Sequence, residues 1–333
     1  MTTFATYLRP ETYLTSREVS PDLFIGYSYP HFAEIGRQLA EALSDYPKLP
    51  LRQAPYEEFR RVHTEGYLNA LRLMAEDQPV EKRPRFSAEC SGYQYCLPGY
   101  GYGLGGMYEA IDQMKAGHLD RAFTCSLGGH HAHQDRGHGY CLLNPLAAAA
   151  RYAQEQGFKK VLMVDWDIHH GDGTQSIFAN DTSVHCLSIH SGIDLYMEKA
   201  SGGKVGTAEA ARALGHCNIP IVQKLFDDEF TREHFSKEFY RTADSIPKFE
   251  EALNRLPFDP DLVLIFAGFD SHRSDCGDDI TDWDNGDFQT LTRLVLNVAR
   301  NHSCPVLSTQ GGGYNLPVTI GAAVAHVQTL ATG

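Results

Sequence analysis

The chain has 333 residues, 42% of them hydrophobic and 21% charged, and carries a formal net charge of −13. That length fits one large α/β domain, and the acidic balance excludes a nucleic-acid binder, because phosphate contacts need clustered Lys and Arg. Eight scattered cysteines without a CxxC pair, and no apolar run long enough to span a bilayer, exclude a disulfide-stapled scaffold and a membrane-spanning chain; they predict a reducing, cytoplasmic setting.

The opening MTTFATYLRPETYLTSREV lacks the apolar stretch of a secretory leader. FAEIGRQLAEAL (32–43) and YEEFRRVHTEGYLNALRLMAED (56–77) carry the apolar spacing of helices. The glycine- and tyrosine-rich QPVEKRPRFSAECSGYQYCLPGYGYG (78–103) reads as a long segment able to restrict access to a site. RAFTCSLGG (121–129) is a predicted strand, and LAAAARYAQEQG (146–157) a helix stopping at Gly157. KVLMVDWD (160–167) and SVHCLSIH (183–190) are strands again, followed by one long helical stretch over 230–256. DLVLIFAGFD (261–270), a helix over 288–301 and CPVLSTQGGG (304–313) complete the pattern. Continuous rather than alternating hydrophobicity marks strands buried on both faces. Alternation of such strands with helices predicts a three-layer α/β fold, a single domain over 1–333.

In parallel sheets ligands bind beyond the carboxyl ends of the strands. GGHHA (128–132), DWDIHHGD (165–172), GFDSH (268–272) and GGGYN (311–315) each follow a predicted strand and should meet at one edge. In extended backbone Asp165, Asp167 and His169 share a side. Asp167 and His169, with Asp270 from another strand end, can hold one divalent cation and leave a coordination position open, as catalytic zinc sites do. Iron(II) or manganese suits the same oxygen and nitrogen donors. One Asp at a strand end more often caps backbone than binds metal; three such residues beside two histidine-bearing segments favour the metal. His130 and His131 suit proton transfer near neutrality, with Asp165 and Asp172 available to fix their tautomers. Tyr314, after three glycines, can donate to an oxyanion.

GGHHAHQDRGHGYCLLNPLAAAA, VLMVDWDIHHGDGTQSIF, SVHCLSIH, LIFAGFDSHRSD and GGGYN resemble, in order, the signature segments of the histone deacetylase superfamily, which includes acetylpolyamine amidohydrolases. RVHTEGYL (61–68) is similar to an upstream helix motif of that superfamily. The resemblance implies an arginase/deacetylase-type fold with a mostly parallel eight-stranded sheet, and a zinc-dependent deacylase acting on acetyl-lysine or an acetylated polyamine. By the same resemblance Asp167, His169 and Asp270 are zinc ligands, and His131 is the general base and acid. His130 is its electrostatic partner, Asp172 pairs with His131, and Asp165 with His130. Tyr314 polarises the substrate carbonyl, Gly139 accepts from the substrate amide, and Tyr140 forms one channel wall. A structural potassium ion is implied at Asp165, Ser188, Ile189 and the main chain of Asp167 and His169, and a second monovalent site around Phe178, Asp181 and Val184. Homo-oligomers are compatible with the resemblance.

Two departures stand out. The rim loop that usually follows the SxH strand is here SGIDLYMEKASGGKVGT (191–207), with Tyr196 or Met197 as the second wall. Asp275-Cys276-Gly277 replaces an Asp-Pro-bulky sequence, which widens the mouth, and Glu198, Asp278 and Asp279 can make an acidic rim. A binuclear manganese ureohydrolase is disfavoured by Gly171, where a further ligand would stand. A catalytically silent acyl-lysine binder is disfavoured because every catalytic position is kept.

Overall fold

The computed structural model describes residues 2–13, 29–87, 90, 92–193, 205–222, 229–234, 238–278 and 280–333. Its strands are β1 (Phe4–Tyr7), β2 (Arg85–Phe86), β3 (Arg121–Thr124), β4 (Arg136–Gly137), β5 (Val161–Asp165), β6 (Val184–Ser191), β7 (Cys217–Ile221), β8 (Leu262–Ala267) and β9 (Val306–Gln310). Seven of them form one sheet in the order β1-β3-β9-β8-β5-β6-β7, and β2 pairs with β4 as a separate ribbon. Every neighbouring pair in the large sheet is parallel. The sheet thus has seven strands among the described residues where eight are expected, and it is wholly parallel.

Side-chain alternation divides the interior into two cores. Val161 and Met163 of β5 and Leu262, Leu264 and Phe266 of β8 face one side. Leu162 and Val164, with Val263, Ile265 and Ala267, face the other. Helices Leu97–Lys115 and Pro145–Glu155 cover the first face; Tyr29–Ala42, Thr242–Leu253, Asn285–His302 and Leu316–Thr332 cover the second. Both faces are therefore dry, which is why the strands carry unbroken apolar runs.

Local chemistry explains where the expected elements shift. The stretch 56–77 divides into a 3₁₀ turn, Tyr56–Arg61, and a helix, Glu65–Ala75, because the Thr64 hydroxyl accepts from Tyr67 N and starts the helix afresh. Within 230–256, Glu229–His234 and Thr242–Leu253 are separate helices. Helix Pro145–Glu155 begins at Asn144, whose side chain accepts from Ala147 N, and ends before Gly157 at φ 103°, as expected. The segment 78–103 is not a continuous loop: helix Leu97–Lys115 begins inside it. No helix among the described residues is long and apolar enough to cross a membrane.

Buried histidines make stability pH-dependent. His326 is 0% exposed, between Thr292 Oγ1 (2.7 Å from Nδ1) and Ser308 Oγ (2.8 Å from Nε2), and burial brings its pKa down to about 3. His63 is lowered to about 4, again chiefly by burial. The unfolded chain protonates these rings near their ordinary pKa of about 6.5, whereas the native state does not. Their contribution is complete above that pH and is lost on acidification, by about 1.4 kcal/mol per pH unit and per ring. Urea midpoints should therefore fall steadily from pH 7 to 5, with a shallower fall in His326→Gln. Equal slopes for the two proteins would remove His326 as a cause.

Candidate active site

Parallel order places the ends of β3, β5, β8 and β9 at one edge of the sheet, and the segments after them converge there. Beyond β5 the chain turns on its own carboxylates: Asp165 Oδ1 accepts from Asp167 N (3.0 Å), and Asp167 Oδ1 accepts from His169 N (3.0 Å). From β8, Asp270 Oδ1 accepts from Ile168 N at 3.0 Å. From β9, Gly312 N donates to Asp167 Oδ2 at 2.7 Å. The carboxylates thus do cap backbone, and they also leave oxygens facing one another. His169 Nδ1 lies 3.2 Å from Asp167 Oδ1 and 3.2 Å from Asp270 Oδ2.

These three side chains offer ligand atoms within 4.8 Å of one another. Two buried carboxylates and one imidazole, converging from two strand ends, form a donor set suited to a borderline divalent cation. Space is reserved for it: a Cβ on Gly312 would stand 2.2 Å from Asp270 Oδ2 and 2.7 Å from Asp167 Oδ2. Burial, then the neighbouring Asp167 charge, pushes the Asp270 carboxyl well above the ordinary carboxylate range. A cation would relieve that repulsion.

The histidine pair sits beside this cluster, the two rings 3.9 Å apart. His130 Nδ1 is 2.8 Å from Asp165 Oδ2, and His131 Nδ1 is 2.9 Å from Asp172 Oδ1. The Asp172 carboxyl is held well below the ordinary range by its imidazole partners against the effect of burial, so it accepts, the His131 proton is on Nδ1, and Nε2 is left as the ring's acceptor. Burial is the largest influence on both: His130 is lowered to about 4 and His131 well below the ordinary imidazole value. Gly139 and Tyr140 follow with φ 55° and 62°. A Cβ on Gly139 would meet His131 Cδ2 at 2.4 Å, and left-handed backbone at Tyr140 is a strained conformation of the kind kept at functional sites.

The cleft has a cavity volume of about 50 Å³ and is lined by His130, His131, Gly139, Tyr140, Asp167 and Tyr314 among others. Phe32, on helix Tyr29–Ala42, packs edge-on to Tyr140 (5.3 Å) and Tyr314 (6.1 Å), so an aromatic wall comes from a helix that the sequence gives no reason to place there. Tyr196, Met197, Glu198 and Asp279 lie outside the described residues; Asp278 is exposed. Pairing of β5 with β6 sets Asp165 beside Ser188, next to Ile189, while Asp181 pairs with Arg151 at 2.7 Å.

Asp275 has a use that the sequence does not announce. Its Oδ2 accepts from Tyr314 N (2.9 Å) and Asn315 N (2.8 Å), tying down the glycine-rich loop. Asp275→Ala should lower kcat by about 10-fold or more, since a misplacement of order 1 Å can cost ~10²-fold. Steady-state kinetics on the purified variant check this, and unchanged kcat would dismiss it. His133 and His138 are also functional candidates missed by sequence reasoning: both reach Asp172 Oδ2 at 2.8 Å. The available signal was four histidines within nine residues, 130–138.

Comparison with known proteins identifies the family and the fold. The histone deacetylase domain profile matches residues 31–330. Acetoin utilization protein AcuC of Bacillus subtilis (strain 168) is 30% identical over 293 residues, covering 80% of this chain and 66% of that protein. Histone deacetylase 6 of Caenorhabditis elegans is 29% identical over 297 residues (84% of this chain, 28% of that one). Polyamine deacetylase HDAC10 of Homo sapiens is 28% identical over 298 residues (85% and 41%). The chain therefore spans between 28% and 66% of the length of these relatives. The crystal structure of the HDA15 HD domain shares the fold, with a TM-score of 0.76 at 23% identity, covering 99% of this chain and 90% of that one.

Proposed function

Because the chain belongs to the histone deacetylase family, we propose that it is a zinc-dependent deacylase that hydrolyses the amide of an acetylated amine, either acetyl-lysine or an acetylated polyamine. The observation that carries this reading is the cluster of Asp167, His169 and Asp270, with Asp167 lining a cleft together with His131 and Tyr314 and the His169 ring 6.1 Å from that of His131 and 6.4 Å from that of Tyr314. A divalent cation held by the three ligands would supply Lewis-acid polarisation of the amide carbonyl and of the attacking water. His131 is the base: with Nδ1–H donated to Asp172, its Nε2 takes the water proton as oxygen attacks the carbonyl carbon. Tyr314 donates its hydroxyl to the oxyanion that develops on the former carbonyl oxygen. The C–N bond then breaks, His131 returns its proton to the departing amine, and acetate and free amine leave. His130, locked to Asp165, balances charge beside the base. Tyr140 and Phe32 flank the linear stem of the substrate, with Gly139 at its amide. Asp165, Ser188 and Ile189 are the candidates for a structural potassium ion.

The names of the relatives support both substrate kinds, histone and polyamine deacetylases alike. Side-by-side kinetics on acetylputrescine, acetylcadaverine and an acetyl-lysine peptide test the proposal. Cleavage of one at a kcat/KM well above the others names the substrate. Failure on all three, with zinc bound, would discard the hydrolase reading.

A further inference from the structure

We propose that His138 is a positioning residue: it clamps the Asp172 carboxylate so that His131 keeps its proton on Nδ1 and presents Nε2 to the substrate. This rests on the hydrolytic role of His131 given above. Asp172 is 2% exposed and receives three imidazole nitrogens, His131 on Oδ1 at 2.9 Å and both His133 and His138 on Oδ2 at 2.8 Å. One acceptor oxygen alone would satisfy the base. The His138 donor on the other oxygen holds the carboxylate plane, because rotation about Cβ–Cγ that moved Oδ1 off His131 would break its bond as well.

The clamp is itself anchored. His138 is 3% exposed, and its ring stacks on that of His131 at 4.9 Å and 25°, so it touches the base as well as the base's partner. His138 Nδ1 has no hydrogen-bond partner among the described residues, so the ring's proton is on Nε2, against Asp172. His133 Nδ1 lies 2.6 Å from Ser176 Oγ, on the short helix that Asp172 begins, and Arg136 Nη2 stands 3.1 Å from His133 Nε2. The carbonyl of His133 is held in turn: Asn144 N donates to His63 Nε2 (3.0 Å), so His63 Nδ1 carries the proton donated to His133 O (2.8 Å). His63, His138 and His131 therefore each have one tautomer that satisfies their neighbours, whereas His133 Nε2 faces both the Asp172 carboxylate and the Arg136 donor and serves one of them at a time.

A base in the wrong tautomer cannot accept the proton from water; removing a tautomer-fixing carboxylate in a serine-protease triad costs ~10⁴-fold. A loosened carboxylate should cost less. The test compares His138→Phe, which keeps an aromatic ring without the donor, with His138→Gln, whose amide nitrogen replaces Nε2–H. In the zinc-loaded protein, His138→Phe should lower kcat by about 10-fold or more with KM within about 2-fold, and His138→Gln should return to within about 3-fold of the parent. Imidazole ¹⁵N NMR of the same proteins should show a single Nδ1–H tautomer for His131 in the parent and His138→Gln, and mixed tautomers in His138→Phe. Equal kcat in the Phe and Gln variants, or an unaltered His131 signal in His138→Phe, would overturn the clamp. If His138→Phe does not fold, His138→Met takes its place in the comparison with His138→Gln. Should the parent protein cleave no acyl amide, the hydrolase reading fails by itself, and the NMR comparison still decides whether the clamp exists.

Discussion

Asp270→Asn is expected to lower kcat/KM for amide cleavage by on the order of 10³-fold or more, because a polarising divalent cation contributes several kcal/mol to such a transition state. Asn preserves shape, and its amide oxygen can keep the bond from Ile168 N. What disappears is the charge on the oxygen that faces His169 Nδ1 at 3.2 Å. The fold should survive this change. Asp270 is fully buried with its carboxyl pushed up by burial and by Asp167, so without metal the carboxylate pair opposes folding. The metal-free variant should then melt no lower than the metal-free parent, while added zinc raises the melting temperature of the parent far more than that of the variant. Metal content by mass spectrometry, thermal melts with and without zinc, and kinetics form one experiment. A variant that holds a full equivalent of zinc and turns over normally would remove Asp270 from the site.

The parts of this architecture legible in the sequence are those where burial and chemistry write the same signal. β5 is apolar on both faces and ends at Asp165, and β8 runs apolar to Ala267, three residues before Asp270, so strand, edge and candidate ligand could be read together from VLMVDWD and LIFAGFD. Other parts were hidden by opposing local signals. Helix Leu97–Lys115 contains Pro98 and five glycines, a composition of low helix propensity. Tertiary contact overrides it: a Cβ on Gly99 would stand 2.2 Å from Thr12 O, and one on Gly105 would stand 2.3 Å from Arg52 O. The glycines let this helix approach other backbone closely, a reason that appears only in three dimensions. β1 is four residues long and β7 contains Pro220, so neither gives a strong period. The site shows the same division. Asp167, His169 and Asp270 declare themselves by residue type after a strand. Phe32 and Asp275 act through contacts with Tyr140 and Tyr314 that no spacing encodes.

Tyr314→Phe should reduce kcat by ~10²–10³-fold, the loss expected when one oxyanion donor is removed. The geometry makes this substitution a clean one. Ring contacts with Phe32 (6.1 Å), His169 (6.4 Å) and Tyr140 (6.5 Å) depend on the aromatic face and remain in Phe. The bonds that aim the loop run from Tyr314 N and Asn315 N to Asp275 and are untouched by the side chain. Burial, then the charges of Asp270 and Asp167, raises the Tyr314 pKa well above its ordinary value, so the hydroxyl is a donor throughout the working pH range. The loss in Phe should therefore be nearly constant from pH 6 to 9, with KM changed little, because the bond forms to charge that develops in the transition state. Phe32→Ala offers the contrast: it removes wall rather than donor, and should act mainly on KM. If Tyr314→Phe turned over at the rate of the parent, or lost substrate affinity rather than kcat, Tyr314 would be a packing residue and the oxyanion would need another donor.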